Sequence, residues 1–278
     1  MRSFSNKVAA ITGAASGMGR SLAINLAKQG CHVAISDVDE TGLADTARLA
    51  GTHGVKVTSK RVDVANRDAV YAWADEVVAD HGKCNLVFNN AGVGYGASVE
   101  GCEYPDFEWV VGINFWGVVH GTKAFLPHLR ASGEGHVVNT SSLFGLLAFP
   151  GQSTYNATKF AVRGFTEALR IELDMTKAPV SATSVHPGGI KTNIARTARM
   201  NKSVLDLGVK DMENNHVRIE KHFRVSADDA AAIILRGVQR NARRVLVGTD
   251  AKIFDLVQRV VPSSYQWLVI KAARLAMQ

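Results

Sequence analysis

Short runs of Val, Ile and Ala alternate along this chain with longer stretches whose apolar residues recur at helical spacing. Strands are expected at residues 8–11, 33–36, 55–61, 86–89, 136–140, 180–185 and 245–247. Helices are expected over 20–29, 42–50, 67–80, 107–130 and 153–175. The strand runs lack the polar alternation of a sheet with one wet face, so both faces should be covered. Strands of this kind, separated by helices, predict an α/β fold with a doubly wound parallel β-sheet and helices on both faces. No Pro/Gly/Ser linker, repeat or low-complexity stretch divides the 278 residues, so one domain over 1–278 is the simplest reading.

The rhythm fails between residues 191 and 226, a polar segment rich in Arg, Lys and Asn without a strong strand. So long an interruption is usually functional. It is read as a substrate lid, with a surface insertion as the alternative. Residues 252–278 form an apolar and basic C-terminal extension. Ile253, Phe254, Leu256, Val257, Val260 and Val261 precede Pro262, and Tyr265, Trp267, Leu268, Val269 and Ile270 follow it. Such an extension can close over a pocket, enter a subunit interface or make peripheral contact with a membrane.

Composition narrows the picture. Hydrophobic residues at 46% and charged residues at 21% suit a soluble globular chain with a full core. No apolar run approaches the ~18 residues of a membrane span, and no secretory leader is legible, so a cytoplasmic location is expected. Cys31, Cys84 and Cys102 are odd in number and far apart, and are read as buried thiols. No His or Cys falls at ligand spacing, so no metal is expected. The net charge of +7 is spread along the chain and is not interleaved with stacking aromatics. It is read as a solvated face that helps attract anionic ligands, with no nucleic-acid partner.

Candidate chemistry begins after the first strand, at Thr12-Gly13-Ala14-Ala15-Ser16-Gly17-Met18-Gly19. Glycines between a strand and a helix let backbone N–H groups approach a pyrophosphate, and the helix N-terminus adds a positive dipole end. The spacing is G-x-x-x-G-x-G. It is neither the commonest dinucleotide motif nor an ATPase phosphate loop, and a tight turn is the alternative. The second strand ends at Asp37, followed by Val38. A carboxylate there suits the adenosine ribose hydroxyls and repels a 2′-phosphate, which favours NAD over NADP. A helix N-cap is the other role for Asp37.

Tyr155 and Lys159 lie four residues apart on a predicted helix and so share a face. A nearby ammonium favours the phenolate, and a base nearer working pH is what alcohol oxidation needs. The pair alone is common on solvated helices. Ser142 follows the strand at 136–140, where ligands sit in a parallel sheet, or else serves as a turn or cap residue.

In this order the residues resemble the short-chain dehydrogenase/reductases in their shorter, single-domain form, from about residue 7 to 247. The resemblance rests on the glycine motif, Asp63-Val64, Asn89-Asn90-Ala91-Gly92, Asn114, Ser142, Tyr155-x-x-x-Lys159 and Pro187-Gly188-Gly189-Ile190-Lys191-Thr192. It implies a Rossmann-like fold, an NAD cofactor and hydride exchange between a nicotinamide and a secondary alcohol or ketone. It implies Tyr155 as acid/base, Lys159 lowering its pKa and bonding the nicotinamide ribose, Ser142 orienting the substrate oxygen, and Asn114 holding a relay water. Gly13, Ser16, Gly17, Met18, Gly19, Asp37 and Val38 would bind the cofactor, with Asp63 and Val64 flanking adenine. Asn90, Ala91 and Gly92 would line the channel, and Pro187, Gly188, Ile190 and Thr192 would hold the nicotinamide carboxamide and pyrophosphate. Gly189 departs locally, offering no side chain and widening that corner. The family also implies a homodimer or homotetramer.

Val93, Tyr95, Leu143, Phe144, Phe149 and Pro150 would border the reacting centre, which suggests a lipophilic small-molecule substrate; plain core packing is the alternative. Three other functions compete. A nucleotide-sensing regulator is disfavoured by the full catalytic set, and a nucleic-acid binder rests on charge alone. An NADP-dependent carbonyl or acyl-thioester reductase is disfavoured by Asp37-Val38.

Overall fold

The computed structural model describes residues 1–212, 214–221 and 223–277. Seven strands build the central sheet: β1 (Val8–Thr12), β2 (His32–Asp37), β3 (Val57–Arg61), β4 (Leu86–Asn89), β5 (Gly135–Thr140), β6 (Val180–Pro187) and β7 (Arg244–Val247). Their spatial order is 3-2-1-4-5-6-7, and every neighbouring pair is parallel. The helices are α1 (Gly17–Lys28), α2 (Glu40–Gly51), α3 (Arg67–His81), α4 (Tyr104–Val111), α5 (Gly117–Ala131), α6 (Ser153–Met175), α7 (Asn215–Glu220), α8 (Ala227–Gln239), α9 (Thr249–Val260) and α10 (Tyr265–Met277).

Successive residues of β1 point to opposite faces, and both faces are dry. Ala9 and Ile11 join Leu22, Leu26, Leu43 and Ile234 beneath α1, α2 and α8. Val8 and Ala10 join Trp73, Val77, Phe125 and Leu173 beneath α3, α5 and α6. This two-sided burial is why the strands read as unbroken apolar runs. The order reverses between β1 and β4, so the connections leave in opposite directions and a crevice opens at the carboxyl ends of those strands. The fold is the expected Rossmann-like doubly wound sheet in one domain.

Four local features depart from expectation. The third strand begins at Val57, two residues late. The helix expected over 107–130 is α4 and α5 joined by a π-helical turn at Gly112–Trp116. A helix absent from the sequence reading, α8, follows the irregular segment; Ser226 caps it by accepting from the Asp229 N–H at 3.0 Å. Cys31 and Cys84 are buried as expected, but Cys102 is only half-buried. No helix among the described residues is long and apolar enough to cross a membrane.

Candidate active site

The glycine loop fills the crevice at the end of β1. Gly13 has φ +67°, and a methyl group on it would meet the Ala91 Cα at 2.7 Å. A methyl group on Gly19 would lie 2.1 Å from the Gly13 carbonyl oxygen. Only hydrogen fits at either position, because the opposing atoms are backbone. Helix α1 starts at Gly17 with no side-chain cap from Ser16 and no acidic residue in its first turn. Its leading amides, from Gly17 through Met18 and Gly19, therefore form an electropositive end suited to an anion.

Asp37 joins this loop to the end of β2. Its carboxylate accepts from the Ala15 N–H at 2.9 Å and from the Val38 and Asp39 N–H groups at 2.7 and 3.1 Å. The N-cap of α2 is Asp39, which accepts from the Gly42 N–H at 3.0 Å, so Asp37 is not the cap. Arg20 is turned inward: it donates to Thr46 Oγ1 at 2.9 Å, to the Gly42 carbonyl at 3.0 Å and to the Ala15 carbonyl. Val38 is exposed beside Asp37. Beyond β3, exposed Asp63 accepts from the Ala65 N–H at 2.9 Å, and buried Val64 packs on Gly117.

At the end of β4, the Asn90 and Ala91 N–H groups donate to Thr12 Oγ1 at 3.0 and 3.1 Å. The Asn90 amide nitrogen donates to the Thr12 and Gly13 carbonyls at 3.2 and 3.3 Å, while its buried Oδ1 has no partner among the described residues. Asn114 is fully buried in the π turn. Its Oδ1 accepts from the Val93 N–H at 2.8 Å and its Nδ2 donates to the Val93 carbonyl at 2.9 Å. A methyl group on Gly92 would stand 3.1 Å from Asn114 Oδ1 and 3.5 Å from Lys159 Nζ, which places these three residues side by side.

Lys159 is buried on α6 and donates to the Thr140 carbonyl at 3.0 Å. Removal from water pushes its ammonium down to about 8. Nζ lies 5.4 Å from the centre of the Tyr155 ring. Burial raises the Tyr155 hydroxyl, and a hydrogen bond from Ser142 acts the other way. The expected net lowering of Tyr155 is therefore absent in this structure, where desolvation is the larger effect and the counteracting group is Ser142. Ser142 also begins a 3₁₀ turn by accepting from the Phe144 N–H at 3.1 Å, so it serves as a turn residue while facing Tyr155.

Two residues outside the expected site set hold this arrangement. His186, fully buried on β6, has its Nδ1 3.0 Å from the Ser142 carbonyl and its Nε2 2.9 Å from Ser184 Oγ. Burial pushes it down to about 4, so it stays neutral. Asp250, in the first turn of α9, accepts from the Gly189 N–H at 2.6 Å and packs on Gly188. It fastens the loop from Pro187 to Thr192. Within that loop Ile190 is buried, and Thr192 lies over Gly17. Gly189 does not widen its corner: a methyl group there would meet the Phe223 ring at 2.7 Å, so Phe223 takes the space.

Apolar side chains pack along one side of the Tyr155 ring. Phe144 stacks on Phe149 at 5.6 Å and meets the Tyr155 ring edge-on at 6.2 Å. Leu143, Phe144 and Phe149 cluster with Leu147, Tyr265 and Val269, so α10 packs directly on the loop after Ser142. Tyr95 is buried with Val93 and Val110, and its hydroxyl donates to Asp106 at 3.2 Å. The irregular segment crosses this loop: Tyr95–Gly96 pairs with Arg199–Met200, and Ser203 Oγ accepts from the Ser98 N–H at 3.1 Å.

The glycine cradle, the uncapped helix end and the orphaned Asn90 oxygen together fit a dinucleotide. The model of the short chain dehydrogenase family matches residues 7–203. The chain belongs to the short-chain dehydrogenase/reductases. As a member of that family it is an oxidoreductase that uses a nicotinamide nucleotide and acts on small molecules. It is 52% identical over 273 residues to SadH of Mycobacterium tuberculosis, a protein described as an oxidoreductase, covering 97% of this chain and 96% of that one. A family member from Burkholderia phymatum, solved in complex with NAD, superposes with a TM-score of 0.86 at 32% identity, covering 94% of this chain and 95% of that one. An alcohol dehydrogenase from Thermococcus sibiricus, complexed with 5-hydroxy-NADP, superposes with a TM-score of 0.72 at 25% identity, covering 87% and 95%.

Proposed function

We propose that this short-chain dehydrogenase/reductase interconverts a secondary alcohol and a ketone with NAD(H), using Tyr155 as acid/base. The observation that carries this reading is the meeting of the Tyr155 and Ser142 hydroxyls beside the buried Lys159 ammonium. Gly13, Ser16 to Gly19, Asp37, Val38, Asp63, Val64, Asn90 to Gly92 and Pro187 to Thr192 would hold the cofactor, which supplies or accepts the hydride when bound.

The remaining work is one proton and one orientation. For reduction, Tyr155 is kept neutral by burial and gives its proton to the carbonyl oxygen. Ser142 accepts from Phe144, and its own proton, directed at Tyr155 in this structure, would turn to hold that oxygen in line. For oxidation, Tyr155 takes the hydroxyl proton, and the Lys159 ammonium steadies the resulting phenolate. Asn114, held to Val93 by its side chain and lying beside Gly92 and Lys159, would hold the relay water.

NAD is favoured because Asp37 presents a carboxylate and Arg20 is spent on carbonyls and Thr46. The apolar walls of Leu143, Phe144 and Phe149 favour a lipophilic substrate. Residues 191–226 act as the lid over it, supported by their pairing with the loop at Tyr95–Gly96.

The test is fluorescence titration of NADH and NADPH on wild type and Asp37→Ala, with turnover of short polar against large apolar secondary alcohols by wild type and Tyr155→Phe. Tight NADH binding, NADPH gaining only in Asp37→Ala, and Tyr155→Phe losing about a thousandfold in turnover with NADH affinity kept are the expected results. NADPH preference in the wild type would move the reading to an NADP-dependent reductase. Preference for short polar alcohols would remove the lipophilic substrate.

A further inference from the structure

The two C-terminal helices have opposite faces of different character. On α10, Tyr265, Val269 and Ala273 recur every four residues and are buried, and the Tyr265 hydroxyl accepts from the Ala148 N–H at 3.2 Å. On its other side Trp267 is 63% exposed, flanked by exposed Leu268 and Ile270. On α9, Ile253, Leu256 and Val260 are 54%, 61% and 70% exposed. Their i, i+3, i+7 spacing makes one apolar stripe, and it is turned outward, the reverse of an ordinary surface helix.

Charge on this segment is sorted as well. Lys252, Arg259, Lys271 and Arg274 are all exposed. The two acidic residues between 249 and 278 are Asp250 and Asp255, and both face inward. Asp250 holds the Gly189 N–H at 2.6 Å, and Asp255 binds Arg244 at 2.8 Å and Arg259 at 2.9 Å. The outer face therefore offers apolar side chains rimmed by cations, with the Lys271 ammonium 5.4 Å from the Trp267 ring.

We propose that the outer face of α9 and α10 docks on an anionic phospholipid bilayer. Aliphatic and indole side chains at the headgroup boundary, with Lys and Arg meeting lipid phosphates, are what such a surface selects. A second copy of this chain is a poor occupant, because a twofold contact on this face would gather the basic rims of both copies into one seam. The inner face of α10 packs on the loop carrying Phe144, whose ring meets Tyr155 at 6.2 Å. A helix is about 10 Å across, so the docked bilayer lies one helix layer from the pocket wall. An apolar alcohol dissolved in lipid then reaches the site with little passage through water. Docking stands apart from the choice of substrate, while this delivery route rests on the lipophilic reading above.

The experiment is co-sedimentation of the full chain with vesicles of phosphatidylcholine, with and without about a third phosphatidylglycerol. Wild type and the double variant Leu256→Glu/Trp267→Glu are compared. Wild type sediments with the anionic vesicles, less with neutral ones, and releases in high salt. The double variant binds at least about tenfold more weakly, at unchanged NADH affinity and unchanged particle size by light scattering. Absence of vesicle binding, or equal binding by the variant, overturns the proposal. A smaller particle for the variant overturns it too, by assigning the face to a second copy. Sedimentation is read without turnover, so a wrong substrate class leaves the result intact.

Discussion

Replacing Lys159 by Met separates what the lysine does for chemistry from what it costs the fold. The ammonium is buried without a carboxylate partner among the described residues, and it sits at about 8 instead of 10.5. Unfolding exposes an ordinary amine, so between about 8 and 10.5 the unfolded chain holds a proton that the folded chain has lost. Stability therefore rises with pH across that window, and the penalty is present in full below about 8. Its size is about 3 kcal/mol near neutrality and about half that one unit below the free-amine value. Methionine keeps the apolar stem but forfeits the charged hydrogen bond to the Thr140 carbonyl, worth about 2 kcal/mol. Lys159→Met should thus be more stable than wild type by about 1 kcal/mol at neutral pH, with the advantage shrinking as pH rises past 8. Urea unfolding followed by circular dichroism at several pH values measures this, and turnover should be lost in the same variant. A variant less stable than wild type, or a pH-independent difference, would refute a desolvated ammonium as the source of the lowered pKa.

Other perturbations follow from the contacts. Gly19→Ala forces a methyl group against the Gly13 carbonyl, so NADH affinity measured by fluorescence should fall at least about thirtyfold. Asp250→Ala removes the acceptor of the Gly189 N–H, and calorimetric NADH titration should show about tenfold weaker binding. His186→Phe frees the Ser142 carbonyl and should lower kcat about tenfold at unchanged KM for the cofactor. His186→Asn, which keeps a donor near the Nδ1 position, should recover part of that loss; no recovery would mean the ring acts by volume alone.

The legible parts of this protein are those with a short-range signature. Strand runs such as Val87 and Phe88 stood out because burial on both sheet faces removes polar alternation. The Tyr155–Lys159 pair was legible as a spacing, and Gly13 and Gly19 as a break between strand and helix. Other features depend on partners far away in sequence. Nothing near Asp250 marks it as the clamp on Gly189, and nothing near His186 points to Ser142. The π turn was hidden because Val110, Ile113 and Phe115 continue the apolar pattern through it. Asp37 and Asp39 are two acids in one turn, and only the hydrogen bonds assign the cap to Asp39. Helix α8 did carry a local signal, Ser226 three residues before Asp229, but it followed a long irregular segment that masked the rhythm.

The Asp250 contact also makes the site depend on a part of the chain that the sheet does not contain. Gly189 and its acceptor are 61 residues apart, and the last sheet strand ends at Val247. All seven strands of the sheet therefore precede, in sequence, the residue that fastens the Pro187–Thr192 loop. A chain cut between residues 247 and 250 would keep every strand of the sheet and lose the tether of that loop.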